Sequence, residues 1–222
     1  VAHSFPTRRS SDLVLLASHS GTTADTLDAA RYASTKPCRI ISLTQTADSP
    51  LARSTGDVIP YGETDQGYYA ALMNSLAFFS GLVSKQPGWK LHGPLKESLP
   101  AVPGMLADVM ESENEESARL AESMAADRVL YLIGAGAASR VAYVFAACIL
   151  MEMQWLHAIP LNASEFFHGP LEVMDESTPV LVMVDESPNR PEARRAADFL
   201  QRITPRLKVY DSKHHAMNGI HS

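Results

Sequence analysis

The residues best suited to chemistry lie in a hydroxyl-rich loop near the start of the chain. The loop consists of Ser18, His19, Ser20, Gly21, Thr22 and Thr23. It follows a short apolar run and precedes a helical pattern. Small side chains and one glycine let a backbone approach a ligand closely. The start of a helix adds free N–H groups and the positive end of the helix dipole, so this arrangement predicts a phosphate site.

The same loop has a simpler interpretation as a helix cap. A Ser or Thr side chain commonly accepts a hydrogen bond from the first helical turn, so Thr22 or Thr23 alone would suffice. Capping does not require so many hydroxyl and glycine positions in one loop. This excess favours the phosphate site.

A second candidate site consists of Glu152 and His168. Glu152 directly ends the apolar run Val141–Met151 on a predicted helix. Apolar surroundings favour the protonated form of a carboxyl group, which suits proton transfer near neutral pH. His168 precedes Gly169-Pro170, which fixes the direction of the loop. The residues alone also allow a Glu on a solvated or interface edge and an ordinary surface histidine.

Signals for a cofactor or a metal are weak. The run Gly134–Arg140 (GAGAASR) partly matches a dinucleotide-binding loop but lacks the third glycine at the required spacing. We interpret it as a tight strand-to-helix turn. Cys38 and Cys148 stand in apolar stretches and are expected to be buried, without a disulfide or a metal. The sequence therefore predicts no cofactor and no metal.

The elements that must position these residues alternate between apolar runs and helical patterns. Predicted strands are Leu13–Ala17, Cys38–Leu43, Asp57–Tyr61, Arg128–Ile133, His157–Leu161, Val180–Val184 and Arg206–Tyr210. Predicted helices are Thr23–Ser34, Ser49–Ser54, Gln66–Ser84, Met105–Ala126, Val141–Trp155 and Arg190–Ile203. This βαβ rhythm predicts an α/β fold with parallel sheets covered by helices.

An internal repeat indicates two similar halves. VLLASHSGTTADTLDAARYA followed by CRIISL matches PVLVMVDESPNRPEARRAADFL followed by RLKVYD, element for element. The second copy is preceded by a strand, an apolar helix and another strand, whereas the first copy starts at once. We therefore expect a first domain that is truncated at its N-terminus.

The predicted domain boundaries follow from this repeat. Ser4–Leu13 resembles the translation of a sequencing adapter, and residues 1–13 are interpreted as a non-native leader. Residues 14–85 form a partial first domain, and residues 86–126 form a linker and a helix. Residues 127–222 form the second domain, from which a C-terminal lid is expected to be missing.

Composition narrows the class of function. Apolar residues make up 45% of the chain and charged residues 20%, as in ordinary globular proteins. The net charge of −6 disfavours a nucleic-acid surface. The run Val141–Met151 is shorter than the ~20 residues of a membrane-spanning helix. Without a secretory signal, we expect a cytoplasmic protein that binds neither membrane nor nucleic acid.

These motifs resemble the SIS (sugar isomerase) family. SHSGTTADT resembles its phosphate loop, and NASEFFHGPLEVMDES resembles its second-half signature around HGP. The resemblance implies two flavodoxin-like αβα sandwiches of the SIS type in tandem. It implies phosphate contacts from Ser18, Ser20 and Thr23, with backbone help from His19 and Gly21. The family's catalytic Glu lies sixteen positions before the His of HGP, which is the spacing from Glu152 to His168.

Within the family, two enzyme groups fit best. One is the fructosamine-6-phosphate deglycases, and the other is the isomerase half of glucosamine-6-phosphate synthase. For a deglycase, the resemblance implies that His168 assists opening of the sugar ring. Glu152 would move a proton from C1 to C2, and hydrolysis of the Schiff base would release glucose 6-phosphate and an amine.

The resemblance also has implications for the oligomeric state and offers a third possible function. It implies a homodimer in which His168 enters the neighbouring subunit's site, with a small-molecule sugar phosphate as ligand. The third alternative is a non-catalytic sugar-phosphate sensor, which would keep the Ser/Thr loop but need not keep Glu152 and His168.

Overall fold

The chain forms two compact units, one ending at Ala101 and one beginning at Val102. The computed structural model describes residues 12–215. Each unit contains its own parallel sheet and helices, which confirms the predicted α/β class. The boundary falls inside residues 86–126, so the segment predicted as a linker and a helix is divided between the two units.

The first unit is built on a three-stranded parallel sheet. Its strands are β1 (Asp12–Ala17), β2 (Cys38–Thr44) and β3 (Asp57–Pro60), in the order β1-β2-β3. Its helices are α1 (Ala24–Ser34), α2 (Pro50–Ser54), α3 (Gly67–Val83) and α4 (His92–Ser98). β1 begins inside the segment interpreted as a leader, of which residues 1–11 lie outside the described part. The central strand β2 carries consecutive buried residues, as expected of a strand covered on both faces.

The second unit is built on a four-stranded parallel sheet in the order β5-β4-β6-β7. Its strands are β4 (Leu130–Gly134), β5 (Ala158–Asn162), β6 (Val180–Val184) and β7 (Leu207–Asp211). Its helices are α5 (Val102–Met124), α6 (Gly136–Val144), α7 (Ala163–Phe166) and α8 (Arg190–Leu200). Single 3₁₀ turns span Leu99–Ala101 before the boundary, and Pro170–Val173 and Ser212–His215 after it.

The core of the second unit explains why α8 and the middle strands form. The α8 helix buries Ala193, Ala196, Ala197 and Leu200, which recur every three or four residues along one helical face. Fully buried residues on β4 and β6 pack in the same cluster: Ile133, Val180 and Val182. Small alanines let the helix approach the sheet closely, and this apolar contact holds β6 and β7 in place.

The two copies of the repeat form the same local structure. β1-α1-β2 and β6-α8-β7 are each a strand, a helix and a parallel neighbouring strand. In the second unit, β6 also pairs with β4 on its other side. The prediction that the repeated segments form the same order of strand, helix and strand is thus confirmed.

The predicted helix Val141–Trp155 differs from the observed one. α6 begins at Gly136, and the chain continues as a π-helix over Phe145–Met151. The Glu152 N–H donates to the Ala147 carbonyl at 3.1 Å, five residues back instead of four. A uniformly apolar run gives no periodic signal that distinguishes this wider turn from an α-helix.

Length and hydropathy of the helices bear on membrane insertion. Across residues 12–215, we find no helix that combines the length and the apolar character needed to cross a bilayer.

A paired ionic contact ties the start of α8 to the end of β7. The Arg190 guanidinium donates to both carboxylate oxygens of Asp211, at 2.8 and 2.5 Å. The Asp211 side chain is only 4% exposed. The hydrogen bonds from Arg190 lower the pKa of Asp211 to about 2. Because the folded-state pKa is depressed, this carboxylate stabilises the fold above its unfolded pKa and less so as the pH falls.

We predict that Asp211→Asn removes a pH-dependent part of the stability. At neutral pH the shifted carboxylate contributes about 2 kcal/mol, which is lost as the pH falls from about 4 towards 2. Urea titrations at several pH values check this, with Asp198→Asn on α8 as the control because its side chain is 62% exposed. An unchanged pH dependence in Asp211→Asn would contradict the prediction.

Candidate functional site

The hydroxyl-rich loop lies at the carboxyl edge of the first unit's sheet. It leaves β1 and leads into α1, the position where parallel α/β sheets bind ligands. The Ser18 N–H donates to the Leu43 carbonyl at 3.1 Å, and the Gln45 N–H donates to the His19 carbonyl at 3.0 Å. The loop is therefore attached to the end of β2.

The hydroxyl groups of the loop form two pairs. Ser18 Oγ lies 2.9 Å from Thr23 Oγ1, and Ser20 Oγ lies 2.7 Å from Thr22 Oγ1. Ser18 Oγ also accepts from the Gly21 N–H at 3.1 Å, and Ser20 Oγ accepts from the Thr22 N–H at 3.2 Å. Hydroxyls both donate and accept, so these groups can turn towards an anion.

The loop does not cap α1 with a side chain. Thr23 is the N-cap residue, but its hydroxyl makes no capping hydrogen bond. In the same unit, Ser49 does cap α2 by accepting from the Ala52 N–H at 3.1 Å. The capping interpretation therefore does not describe this loop, and the first turn of α1 keeps N–H groups that suit an anion.

Gly21 is required for its backbone and for its size. Its φ of +66° is one that side chains disfavour. A Cβ there would lie 2.4 Å from Ser49 Oγ and 3.0 Å from Thr44 Oγ1. The Gly21 carbonyl accepts from the Leu51 N–H at 2.9 Å, so α2 packs directly against the loop.

Glu152 lies immediately after the π-helix, and its side chain is exposed. The expectation that it lies among apolar groups is therefore wrong for the single chain, because the last turn faces outwards. The alternative of a solvated or interface edge describes it better. Met151, Met153 and Trp155 are exposed on the same stretch, Trp155 at 89%. π-helical turns are frequent at functional sites, and sequence reasoning missed this one.

His168 lies at the tip of a well-anchored turn. Asn162 caps α7 by accepting from the Ser164 N–H, and Phe166 at the end of α7 is fully buried. The His168 N–H donates to the Glu165 carbonyl at 2.9 Å. Gly169 then adopts a φ of +136°, which directs the chain into the turn Pro170–Val173. The imidazole itself is exposed.

The predicted site residues are divided between the units. Ser18, His19, Ser20, Gly21, Thr22 and Thr23 belong to the first, and Glu152 and His168 to the second. Within residues 12–215, neither the Glu152 nor the His168 side chain has a hydrogen-bond or ion-pair partner. Both groups are thus free to meet an external ligand.

The loop after β6 corresponds to the hydroxyl loop but is already occupied. Asp185 stands where the repeat places Ser18. Its carboxylate accepts from the Ala138 N–H of α6 at 3.2 Å and from the Ser187 N–H at 3.1 Å. A carboxylate of the chain thus already accepts from N–H groups of α6 and of the loop before α8. The sequence contained a sign of this difference, because the second copy of the repeat has the acid Asp185 where the first copy has Ser18.

The glycine-rich run after β4 is a close-packing turn, as interpreted. A Cβ on Gly134 would lie 2.5 Å from the Ala138 carbonyl oxygen, and Gly136 has a φ of +52°. The two cysteines, Cys38 and Cys148, are free and half-buried. In the described part of the chain, no group of three or more His, Cys, Asp or Glu residues is placed to hold a metal ion.

A cavity of about 680 Å³ lies elsewhere in the second unit, between α5, α6 and the ends of β6 and β7. Its lining includes the apolar side chains of Val109, Met110 and Val141. Its lining also includes acidic groups such as Glu113 and Asp211, of which Asp211 is paired with Arg190. None of the residues predicted for the candidate site belongs to this lining.

Comparison with known protein families finds one match that includes this loop. Residues 2–83, which contain the hydroxyl loop, match the family model described as the SIS domain. Residues 2–83 of this chain are thus identified as an SIS domain. This match confirms the resemblance of the loop, whereas the HGP segment lies outside the matched residues.

Two relatives of this SIS protein are deglycases. The fructosamine deglycase of Bacillus subtilis is 31% identical over 213 residues, 94% of this chain and 64% of that protein. The fructoselysine 6-phosphate deglycase of Escherichia coli is 25% identical over 170 residues, 77% of this chain and 50% of that protein. The chain thus spans between half and about two thirds of their length.

A solved structure supports the fold. A Bacillus subtilis protein named as a phosphosugar isomerase superposes with a TM-score of 0.87 at 30% identity, over 95% of this chain and 65% of that one. The α/β fold with parallel sheets therefore follows that of a known structure.

We predict that Gly21→Ala destabilises the first unit. The variant forces a disfavoured φ and a contact with Ser49, so we expect a loss of about 1–3 kcal/mol in the free energy of unfolding. Gly56→Ala is the matched control, because no atom lies within 4 Å of its added Cβ. Denaturant titration of both variants checks the difference, and equal stabilities would count against the packing described.

Proposed function

We propose that this chain is the sugar-phosphate-binding and catalytic part of a fructosamine-6-phosphate deglycase, built from two SIS-type domains in tandem. The observation that carries the proposal is the uncapped start of α1 behind the hydroxyl loop. The two deglycase relatives support the choice of reaction.

The loop suits the phosphate end of a sugar without any basic side chain. The Ser18 and Ser20 hydroxyls accept from the Gly21 and Thr22 N–H groups. The hydroxyls can turn their own hydrogens towards a phosphate, which can also replace them as the acceptor for these N–H groups. The helix dipole of α1 adds a positive potential. In this way a chain with a net charge of −6 binds an anion.

Glu152 and His168 suit the proton transfers that follow. A fructosamine carries its amine on C1 and its carbonyl carbon at C2. His168 would pass a proton between the ring oxygen and the C2 hydroxyl, which opens the ring. Glu152 would remove a proton from C1, forming an enaminol, and return a proton to C2. The resulting C1 imine takes up water and separates into glucose 6-phosphate and a free amine.

The exposure of both groups supports a homodimer. A carboxylate in open water is a weak base for a carbon acid, whereas a covered one is stronger. Met151, Met153 and Trp155 form an exposed apolar surface beside Glu152. A second copy that covers this surface would exclude water, and its His168 would complete the site, as the family resemblance implies.

One alternative reaction has specific support. The isomerizing glutamine–fructose-6-phosphate aminotransferase of Bradyrhizobium diazoefficiens is 32% identical over 190 residues, 80% of this chain and 30% of that protein. An isomerase uses the same proton transfer between C1 and C2 but needs no hydrolysis. The two reactions are therefore separated by whether an amine is released.

We predict that Glu152→Gln abolishes turnover of fructosamine 6-phosphates. The amide cannot accept the C1 proton, so we expect kcat to fall by about 10²–10⁴ with little change in KM. Coupled detection of glucose 6-phosphate, together with an amine assay, measures the reaction. Glu176→Gln, which changes an exposed carboxylate in another loop, is the control.

Three other results would be informative. Amine release that persists in Glu152→Gln would remove Glu152 from the mechanism. Conversion of fructose 6-phosphate to glucose 6-phosphate without amine release would favour the isomerase. Binding of glucose 6-phosphate without turnover of either substrate would favour the sensor.

We predict that two inactive variants restore activity when mixed. If each site combines Glu152 of one copy with His168 of the other, a hybrid of Glu152→Gln and His168→Asn retains one intact site. Random reassociation of the dimers would then give about a quarter of the unaltered activity. No recovery after mixing, although mass spectrometry shows hybrid dimers, would mean that both groups act within one copy.

A further inference from the structure

We infer that His19 is a positioning residue, which holds the phosphate loop in its binding geometry through contacts with Tyr61 and Gly67. The inference rests on the proposed phosphate site and goes beyond it, because the role assigned to His19 so far is only that of a backbone donor. All of the residues involved lie in the first unit.

Backbone hydrogen bonds join the ends of the three strands next to the loop. The His19 carbonyl accepts from the Gln45 N–H at 3.0 Å and from Thr44 Oγ1 at 3.3 Å. The Gln45 carbonyl accepts from the Gly62 N–H at 2.9 Å. These bonds connect the end of β1 to that of β2, and the end of β2 to that of β3.

The His19 side chain adds a direct link from β1 to β3. Its Nδ1 lies 2.8 Å from the Tyr61 hydroxyl oxygen, and the two rings are stacked with centroids 5.8 Å apart. Tyr61 directly follows β3. Burial raises the pKa of Tyr61, so its hydroxyl stays protonated, and the tautomer of His19 decides which of the two groups donates. The imidazole therefore connects the outer two strand ends past the central one.

Gly67, at the start of α3, forms the other side of this contact. A Cβ there would lie 2.6 Å from His19 Nδ1 and 2.9 Å from Cε1. Gly67 has no positive φ, unlike Gly21. Glycine is therefore required at position 67 because any larger residue would clash with the imidazole of His19, and not because of its backbone conformation.

A fixed loop matters because phosphate binding depends on several donors at once. Ser18, Ser20 and the first turn of α1 must all point at one anion, and loops are otherwise the mobile parts of a fold. Ordering them in advance lowers the free-energy cost of binding. Releasing His19 should therefore raise KM for phosphorylated sugars while leaving the proton transfers at Glu152 and His168 intact.

Gly67→Ala is the decisive variant. The new methyl group displaces the imidazole, so we expect about tenfold weaker binding of both glucose 6-phosphate and inorganic phosphate, measured by calorimetry. In the deglycase assay KM should rise and kcat should stay unchanged. Gly81→Ala on the same helix is the matched control, because its added Cβ meets no atom within 4 Å.

A milder variant and a double variant test whether the effect of Gly67→Ala acts through His19. Tyr61→Phe retains the stacked ring but loses the hydroxyl, so binding should weaken about two- to tenfold. In a His19→Ala background, adding Gly67→Ala should cause no further loss, since the imidazole that it displaces is absent. Equal losses with and without His19 would show that Gly67 acts by another route and would overturn the inference.

The outcomes separate this inference from the proposed function. If the unaltered chain binds neither glucose 6-phosphate nor inorganic phosphate, the phosphate site fails and the inference fails with it. If the unaltered chain binds them and both Gly67→Ala and Tyr61→Phe bind equally well, only the role of His19 is overturned. Thermal unfolding of each variant shows whether it is folded under the assay conditions.

Discussion

Amide groups that follow a parallel strand and begin a helix need hydrogen-bond partners, and this need shapes both units. In the first unit the partners are the hydroxyls of Ser18 and Ser20, which can exchange these bonds for bonds to a ligand. In the second, the Asp185 carboxylate accepts from the Ala138 N–H of α6 and from the Ser187 N–H of the loop before α8. The repeated fold therefore gives one loop that we propose as an open anion site and one loop whose acceptor is a carboxylate of the chain itself.

Contacts behind the loop decide how well that open site is formed. α2 packs against Gly21, and the imidazole of His19 lies between Tyr61 and Gly67. Both contacts restrict the loop to a single arrangement, which is the property that a phosphate site without basic side chains requires.

The two residues that we propose for proton transfer have a different environment. Glu152 and His168 are exposed and unpaired within the described chain, although each is set on a rigid element, the π-helix and the anchored α7 turn. A rigid support with an open face suits groups that work only when another surface covers them. The apolar residues around Glu152 are consistent with such a cover, for which we propose a second copy.

The sequence by itself determined the α/β class, most of the strand positions, the repeat and the loop Ser18–Thr23, because these depend on local apolar periodicity and on residue type. It also selected Glu152 and His168, through their spacing and the family resemblance. It could not show the π-helix, since a uniformly apolar run has no period. Nor could it show the exposure of Glu152, the closed loop at Asp185 or the contact of His19 with Tyr61 and Gly67. Only the tertiary structure decided these. The contacts of Asp185 and of His19 depend on residues far apart in the chain that meet at the strand ends, and the exposure of Glu152 depends on which face of the helix the rest of the unit covers.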